Sequence, residues 1–304
     1  MPKIVAICGP TGVGKTEVSL KVAERFKAEI INFDSQQFYK ELVIGTAKPI
    51  FEERRGIPHH LFEALTLKED MSAGKFVEIA DKLVWEIHSR GKLPLLVGGT
   101  GLYLRAFEYG IFKVDVDPLL REKLRRRAEE NLEELFDALK RLDPEYAQRI
   151  HPRDRVRITR ALEVIFTTGK SFSFFHQKNP FFKSKRYPLL KIGLNLSREE
   201  LYARINERVL KMVEKGWLRE VEDLLKNHGQ EVFAKIKAIG YDILLKVHFG
   251  EMSMDTAITI IQQETRRYAK RQLTWFKKEK DIEWFKPQEI DRIIGRIEAF
   301  LKGA

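Results

Sequence analysis

Short apolar runs of strand length alternate, through the first third of the chain, with longer stretches where apolar residues return every three or four positions. The runs are Lys3 to Cys8, Ala28 to Phe33, Leu93 to Val97 and, much later, Pro188 to Leu196. Continuous apolarity over so few residues is the pattern of a strand covered on both faces. A further short strand is offered by Pro58 to Leu65. Between the runs, the segment opening at Lys15 and the segment Ser72 to Arg90 read as amphipathic helices. The second places Phe76, Ile79, Ala80, Leu83, Val84 and Ile87 on one stripe, with Ser72 as its cap. Strands alternating with helices predict an α/β fold with a parallel sheet.

From Asp117 the texture becomes helical and rich in arginine. Pro118 to Glu129, Leu132 to Leu142 and Arg153 to Thr168 carry helical periodicity, the last stopped by Gly169. The pattern predicts a first part of the core over 1–117, an inserted all-helical lobe over 118–187, and completion of the core with C-terminal helices over 188–304. In the completing part, Ser197 caps a helix running to Lys215, a short helix follows Gly216-Trp217, and a long one spans Met254 to Lys278. Repeats and low-complexity tracts are absent from the sequence.

The first apolar run leads directly into Gly9-Pro10-Thr11-Gly12-Val13-Gly14-Lys15-Thr16, which satisfies G-x-x-x-x-G-K-[ST]. Glycines let the backbone fold into a nest of N–H groups aimed at one anion. Lys15 adds a mobile charge, the Thr16 hydroxyl can hold Mg²⁺, and the following helix points its positive end at the same anion. With a strand before and a helix after, the motif predicts a P-loop NTPase-like core that binds a di- or triphosphate. The second strand ends in Asp34, which loop topology brings to the same sheet edge, where a carboxylate can bind Mg²⁺ or accept a proton. The strand ending in Gly98-Gly99-Thr100-Gly101 lacks the acidic residue usual in ATP-hydrolysing phosphate-loop proteins. Its small residues suit the close approach of a substrate. That points away from motor-type hydrolysis and toward transfer of a group attached to a diphosphate.

Composition sharpens this. Among 304 residues, 43% are hydrophobic and 33% charged, with no run of membrane-spanning length. The single cysteine, Cys8, excludes an internal disulfide and reads as a small core residue, so a cytoplasmic protein is expected. Net charge is +11, unevenly spread: 1–117 carries 16 basic and 16 acidic residues, 118–190 carries 17 and 10, and 191–304 carries 22 and 18. A basic excess apart from the small-anion site suggests a polyanionic second substrate, against the plainer reading of solubilising charge. Arg153, Arg157 and Arg160 fall at i, i+4 and i+7 as a positive stripe. Phe172, Phe174, Phe175, His176, Phe181 and Phe182, interleaved with Lys178, Lys183, Lys185 and Arg186, suit either base stacking or the base of a small lobe. Arg267, Lys270, Arg271, Thr274 and Lys278 form one face of the long helix, suited to a nucleic-acid backbone.

The strings Gly9-Pro10-Thr11…Gly14-Lys15-Thr16, Asp34-Ser35…Tyr39, Gly45-Thr46-Ala47-Lys48-Pro49 and Leu96-Val97-Gly98-Gly99-Thr100-Gly101-Leu102-Tyr103 together resemble the tRNA dimethylallyltransferases. Arg160-Ala161-Leu162-Glu163-Val164, Ala238-Ile239-Gly240-Tyr241 and Ala269-Lys270-Arg271-Gln272-Leu273-Thr274-Trp275-Phe276 extend the likeness over nearly the whole chain. The resemblance implies dimethylallyl diphosphate and the anticodon stem-loop of tRNA as substrates, with Mg²⁺ as cofactor. It implies a helical insertion that clasps the stem-loop; a monomer with no membrane partner is expected. It also implies that the transferred group goes to N6 of the adenosine 3′ of the anticodon. By motif, Asp34 is the implied general base, Thr100 contacts the target adenosine, and Arg208 grips the diphosphate beside Lys15 and Thr16. The implied diphosphate cradle is Gly9, Pro10, Thr11, Gly12, Val13, Gly14, Lys15 and Thr16. The implied tRNA contacts are Asp34, Ser35, Gln36, Gln37, Thr100, Arg121, Val156, Arg157, Ile158, Thr159 and Arg160, then Lys237, Gly240, Tyr241, Asp242, Lys270, Arg271, Gln272, Thr274, Trp275 and Lys277. Gly12-Val13, Glu41, Val43 and Arg267 depart from the usual pattern. Rival readings are a small-molecule kinase using ATP, which leaves the basic lobe without a task, and a non-catalytic RNA-binding protein, which leaves Lys15, Asp34 and Thr100 without one.

Overall fold

The structure, a computed structural model, describes residues 1–112, 114–178 and 184–303, without the side chains of His176 and Lys178. It contains two compact units: 1–108 with 186–304, and 109–185. The first opens with β1 (Ile4–Cys8), α1 (Lys15–Phe26), β2 (Ala28–Asn32), β3 (His59–His60), α2 (Ala73–Ser89), β4 (Leu93–Gly98) and α3 (Gly101–Tyr109). The second holds α4 (Pro118–Glu130), α5 (Leu132–Leu142), α6 (Pro144–Ala147), α7 (Arg155–Thr168) and α8 (Phe172–Lys178). The first unit resumes with β5 (Leu189–Leu194), α9 (Arg198–Glu214), α10 (Trp217–His228), α11 (Tyr241–His248), α12 (Met254–Phe276), β6 (Ile282–Phe285) and α13 (Ile290–Lys302).

Among the described residues six strands form one sheet, all parallel, in the order β3-β2-β4-β1-β5-β6. The apolar runs form the inner strands because β1, β2 and β5 are buried along their whole length. Parallel strands place all their carboxyl ends on one edge, and there the loops after β1, β2 and β4 meet. A buried ion pair interrupts the core at β5. Lys191 of β5 is 1% exposed and is held by Glu108 and Asp281, each at 2.6 Å. A lone ammonium is not tolerated at such depth, so these partners are obligatory.

The helical unit has its own core, built from Leu124, Leu135, Phe136, Leu139, Ile158, Leu162 and Phe172. It begins nine residues before the expected boundary because Phe112 and Val114 already pack on that core. It ends at Lys185 because Arg186 and Tyr187 both bind Asp81 of α2. Ile158, read as a tRNA contact, is fully buried here and serves packing instead. Of the aromatic cluster, Phe175 stacks on Phe112 and Phe172 meets it edge-on, so they form the base of the lobe. Phe181, Phe182 and Lys183 lie outside the described residues. Arg153 precedes α7 rather than sharing its face, since Asp154 is the cap that starts the helix. No helix among the described residues is long and apolar enough to cross a membrane.

Candidate active site

The nest after β1 takes its shape from its glycines. Gly9 has φ +149° and lies so close to β5 that a Cβ would sit 2.6 Å from the Leu194 carbonyl; Gly14, at φ +102°, turns the chain into α1. Lys15 folds back over this loop and donates to the carbonyls of Gly9 and Pro10, at 3.0 and 2.9 Å. Burial pulls its ammonium down to about 8; Asp34 opposes the fall and Arg208 adds to it. Gly12, Gly14, Lys15, Thr16, Asp34, Arg204 and Arg208 line a cavity of about 210 Å³ that suits a diphosphate. The Cys8 thiol beneath it is pushed up to about 12 by burial and is inert.

Beside it lies a second cavity of about 340 Å³, lined by Ile205, Val209, Met212, Trp217, Ala238, Ile239 and Tyr268, with Ser35, Gln36, Lys237 and Arg271. Thr11, Asp34, Thr46 and Arg208 line both cavities and so mark where they join. Asp34 is fixed there by its neighbours: Asn32 accepts its N–H, and one Asp34 carboxylate oxygen accepts the Gln36 N–H at 3.1 Å. The Thr100 hydroxyl accepts the Ser35 N–H at 3.0 Å, tying the end of β4 to the Asp34 loop. Arg208 loses part of its affinity for its proton through burial, which Asp34 opposes, and it reaches the Thr46 carbonyl at 3.4 Å. Burial pushes the Tyr268 hydroxyl far above its ordinary range, and Asp34 adds to the effect, so it stays a neutral donor.

Several residues assigned to tRNA have other work. Gln272 is buried; it accepts the Thr11 N–H at 2.8 Å and donates to the Gly99 carbonyl at 3.0 Å, clasping the phosphate nest to β4. Tyr241 is buried and donates its hydroxyl to Glu220 at 2.6 Å. The glycines after β4 admit α12 rather than a substrate. A Cβ at Gly99 would lie 2.3 Å from Gln272, and one at Gly101 would lie 2.1 Å from Trp275. Gln37 also turns inward, donating to the Thr46 carbonyl at 3.0 Å. Arg271, Lys270 and Thr274 are exposed on α12 and Lys277 just beyond its end, as are Arg121, Val156 and Arg157 on the lobe helices, while Thr159 is half-buried. Lys237 and Arg271 join Asp34, Ser35 and Gln36 around the larger cavity, while Lys270 and Lys277 line a separate surface pocket. Sequence reasoning missed Glu220, whose carboxylate accepts the N–H groups of Val43, Ile44 and Gly45. A lone glutamate on an amphipathic helix carries no signal of that task.

A parallel sheet with a phosphate nest, and a carboxylate between that nest and an apolar cavity, define a phosphate-loop protein built for group transfer rather than a rotary or motor ATPase. The chain belongs to the IPP transferase family, whose pattern matches residues 37–279. It is 44% identical to tRNA dimethylallyltransferase 1 of Citrifermentans bemidjiense, over 98% of this chain and 97% of that one. A tRNA dimethylallyltransferase of Carboxydothermus hydrogenoformans is also 44% identical, over 93% and 91%. Among solved structures, the full-length tRNA isopentenylpyrophosphate transferase of Bacillus halodurans superposes with a TM-score of 0.74 at 37% identity, covering 99% of this chain and 97% of that one. A eukaryotic dimethylallyltransferase seen acting on tRNA gives 0.81 at 28% identity, covering 94% and 74%.

Proposed function

We propose that this protein transfers the dimethylallyl group of dimethylallyl diphosphate to N6 of the adenosine 3′-adjacent to the anticodon in tRNA, releasing diphosphate. The observation that carries the reading is Asp34 at the junction of an anion cradle and an apolar cavity. The diphosphate fits the glycine nest, and the allyl group fits the apolar side. The C1–N6 bond forms as the C1–O bond breaks, the bonding pair leaving on the diphosphate oxygen. Asp34 takes the N6 proton, so positive charge does not build on the amine. Lys15, Arg208 and the nest N–H groups face the oxygen where negative charge grows. Thr100 acts here through Ser35, holding the loop that aims Asp34.

The residues fit a Mg²⁺ ion shared with the substrate rather than caged by protein. Thr16 and Asp34 line the phosphate cavity, and no group of three His, Cys, Asp or Glu among the described residues forms a dedicated metal site. When bound, the ion supplies further positive charge to the leaving diphosphate. A monomeric enzyme is part of this proposal. A tRNA partner is supported by the exposed cations of α12 and the helical unit, and a phosphoryl-transfer reading leaves the apolar cavity without an occupant.

The test is incubation with unmodified tRNA, Mg²⁺ and dimethylallyl diphosphate labelled in the allyl group. Label is expected on the adenosine next to the anticodon, located by nuclease digestion and mass spectrometry. Unlabelled tRNA, with ATP consumed on a small acceptor, would overturn the proposal.

A further inference from the structure

We propose that Trp217 is a rigid stop that limits the transferred group to a single isoprene unit, so that the site rejects longer allylic diphosphates. The inference rests on the reading above, in which the apolar cavity receives the allyl group.

Helix α9 supplies the ruler. Arg208 stands where the two cavities join, and Val209 and Met212 line the larger one away from the phosphate nest. Met212 is one helical turn beyond Arg208, about 6 Å along the axis. A dimethylallyl chain anchored by its diphosphate near Arg208 spans a comparable length. The next element, α10, then begins with Trp217, whose indole lines the same cavity and is 1% exposed. A geranyl chain carries a second isoprene unit, and its path runs into that ring.

The ring cannot step aside. Two glycines from separate loops close on it: a Cβ at Gly45 would lie 2.2 Å from the indole Nε1, and one at Gly240 would lie 2.3 Å from Cη2. Both loops are tied to α10 one turn further on. Glu220 accepts the N–H groups of Val43, Ile44 and Gly45 at 3.2, 2.7 and 3.2 Å, and the Tyr241 hydroxyl at 2.6 Å. Val221, Leu224 and Leu244, all buried, belong to the same packed cluster as the tryptophan. A wall held on two sides and packed like a crystal excludes excess length by clash, whereas apolar contact alone discriminates chain length weakly. The glycines of the Gly45-Thr46-Ala47-Lys48-Pro49 and Ala238-Ile239-Gly240-Tyr241 strings thus have one shared purpose, which is to seat this indole.

The test compares kcat/KM for dimethylallyl and geranyl diphosphate on one tRNA, using the parent protein, Trp217→Ala and Trp217→Phe. The second variant keeps an aromatic ring in the core in case the first does not fold; circular dichroism and tRNA affinity establish that each variant is intact. The parent is expected to favour dimethylallyl diphosphate, and a folded Trp217 variant to shift the ratio toward geranyl diphosphate by about tenfold or more. An unchanged ratio in folded Trp217→Phe, or a parent that uses both substrates equally, would overturn the stop. A parent that transfers neither group to tRNA would instead sink the functional reading beneath it.

Discussion

At the scale of single residues, the site depends on where two charges sit. Asp34 has its backbone and one oxygen held by Asn32 and Gln36, so replacing the acid need not move the loop. Asp34→Asn is therefore expected to lower kcat by about 10²–10⁴, the usual contribution of a positioned base, while tRNA affinity stays near the parent's. Single-turnover kinetics beside a filter-binding isotherm separates the two, and a large loss of binding with normal turnover of bound tRNA would remove the base from the mechanism. Lys15 gives a second test. Its ammonium, drawn down to about 8 by burial, is charged in the empty protein below that pH and neutral above it. A bound diphosphate favours the charged form and raises that value, so binding above pH 8 takes up a proton. Affinity for dimethylallyl diphosphate should be level below pH 8 and fall by about tenfold per pH unit above it. Calorimetry in two buffers of different ionisation enthalpy should find no Lys15 uptake at pH 7 and close to one proton at pH 9. An absence of uptake at pH 9 would mean that Lys15 keeps its charge in the empty cradle.

At the scale of elements, α12 does more than present cations. Its Gln272 satisfies one group on the phosphate nest and one on the loop after β4, two segments far apart in sequence. Gln272→Leu removes the partner of the half-buried Thr11 N–H and strands the buried Gly99 carbonyl, and is expected to cost about 1–3 kcal/mol in urea unfolding. KM for the diphosphate should rise with it, because the nest loses its outer support. Gln272→Glu, which still accepts from Thr11 but cannot donate to Gly99, should fall between. Full stability in the leucine variant would show that α12 is not what holds the nest. This clasp was not legible in the sequence, where Gln272 sits among cations and reads as surface. Helical periodicity marks which face is apolar; it does not mark a polar side chain aimed at a glycine gap. The inner strands and the nest were legible because continuous apolarity and the glycine spacing have few other solutions. β6 went unread, and α13 was expected only as one of the C-terminal helices: β6 is a four-residue edge strand with three half-buried positions, and its pattern carries little contrast. The order of the strands was also beyond periodicity, which says that a strand is covered and not by which neighbour.

At the scale of the molecule, the phosphate site and the cationic surfaces answer to different substrates, and their salt responses should differ accordingly. Several of the helical unit's arginines are engaged with acids on its own surface: Arg126 with Glu122, Arg127 with Glu134, Arg149 with Glu145 and Arg157 with Asp154. Exposed pairs of this kind contribute about 0–1 kcal/mol each, so they exchange readily for a phosphate backbone. Arg157 is the sharpest case, since its acid is the cap of α7, and the Asp154 carboxylate keeps the Arg157 N–H after the guanidinium has left. Arg157→Ala should accordingly leave α7 folded, weaken tRNA binding, and reduce the magnitude of the slope of log K against log salt by about 0.7–0.9, the value for one lost phosphate contact. Lys302→Ala, at the end of α13, removes the same unit of charge and serves as the comparison. If Arg157 touches a phosphate, its variant alone changes the slope. If both variants shift affinity equally and neither changes the slope, attraction comes from the net charge of +11 as a whole, and α7 is not the surface that receives the RNA.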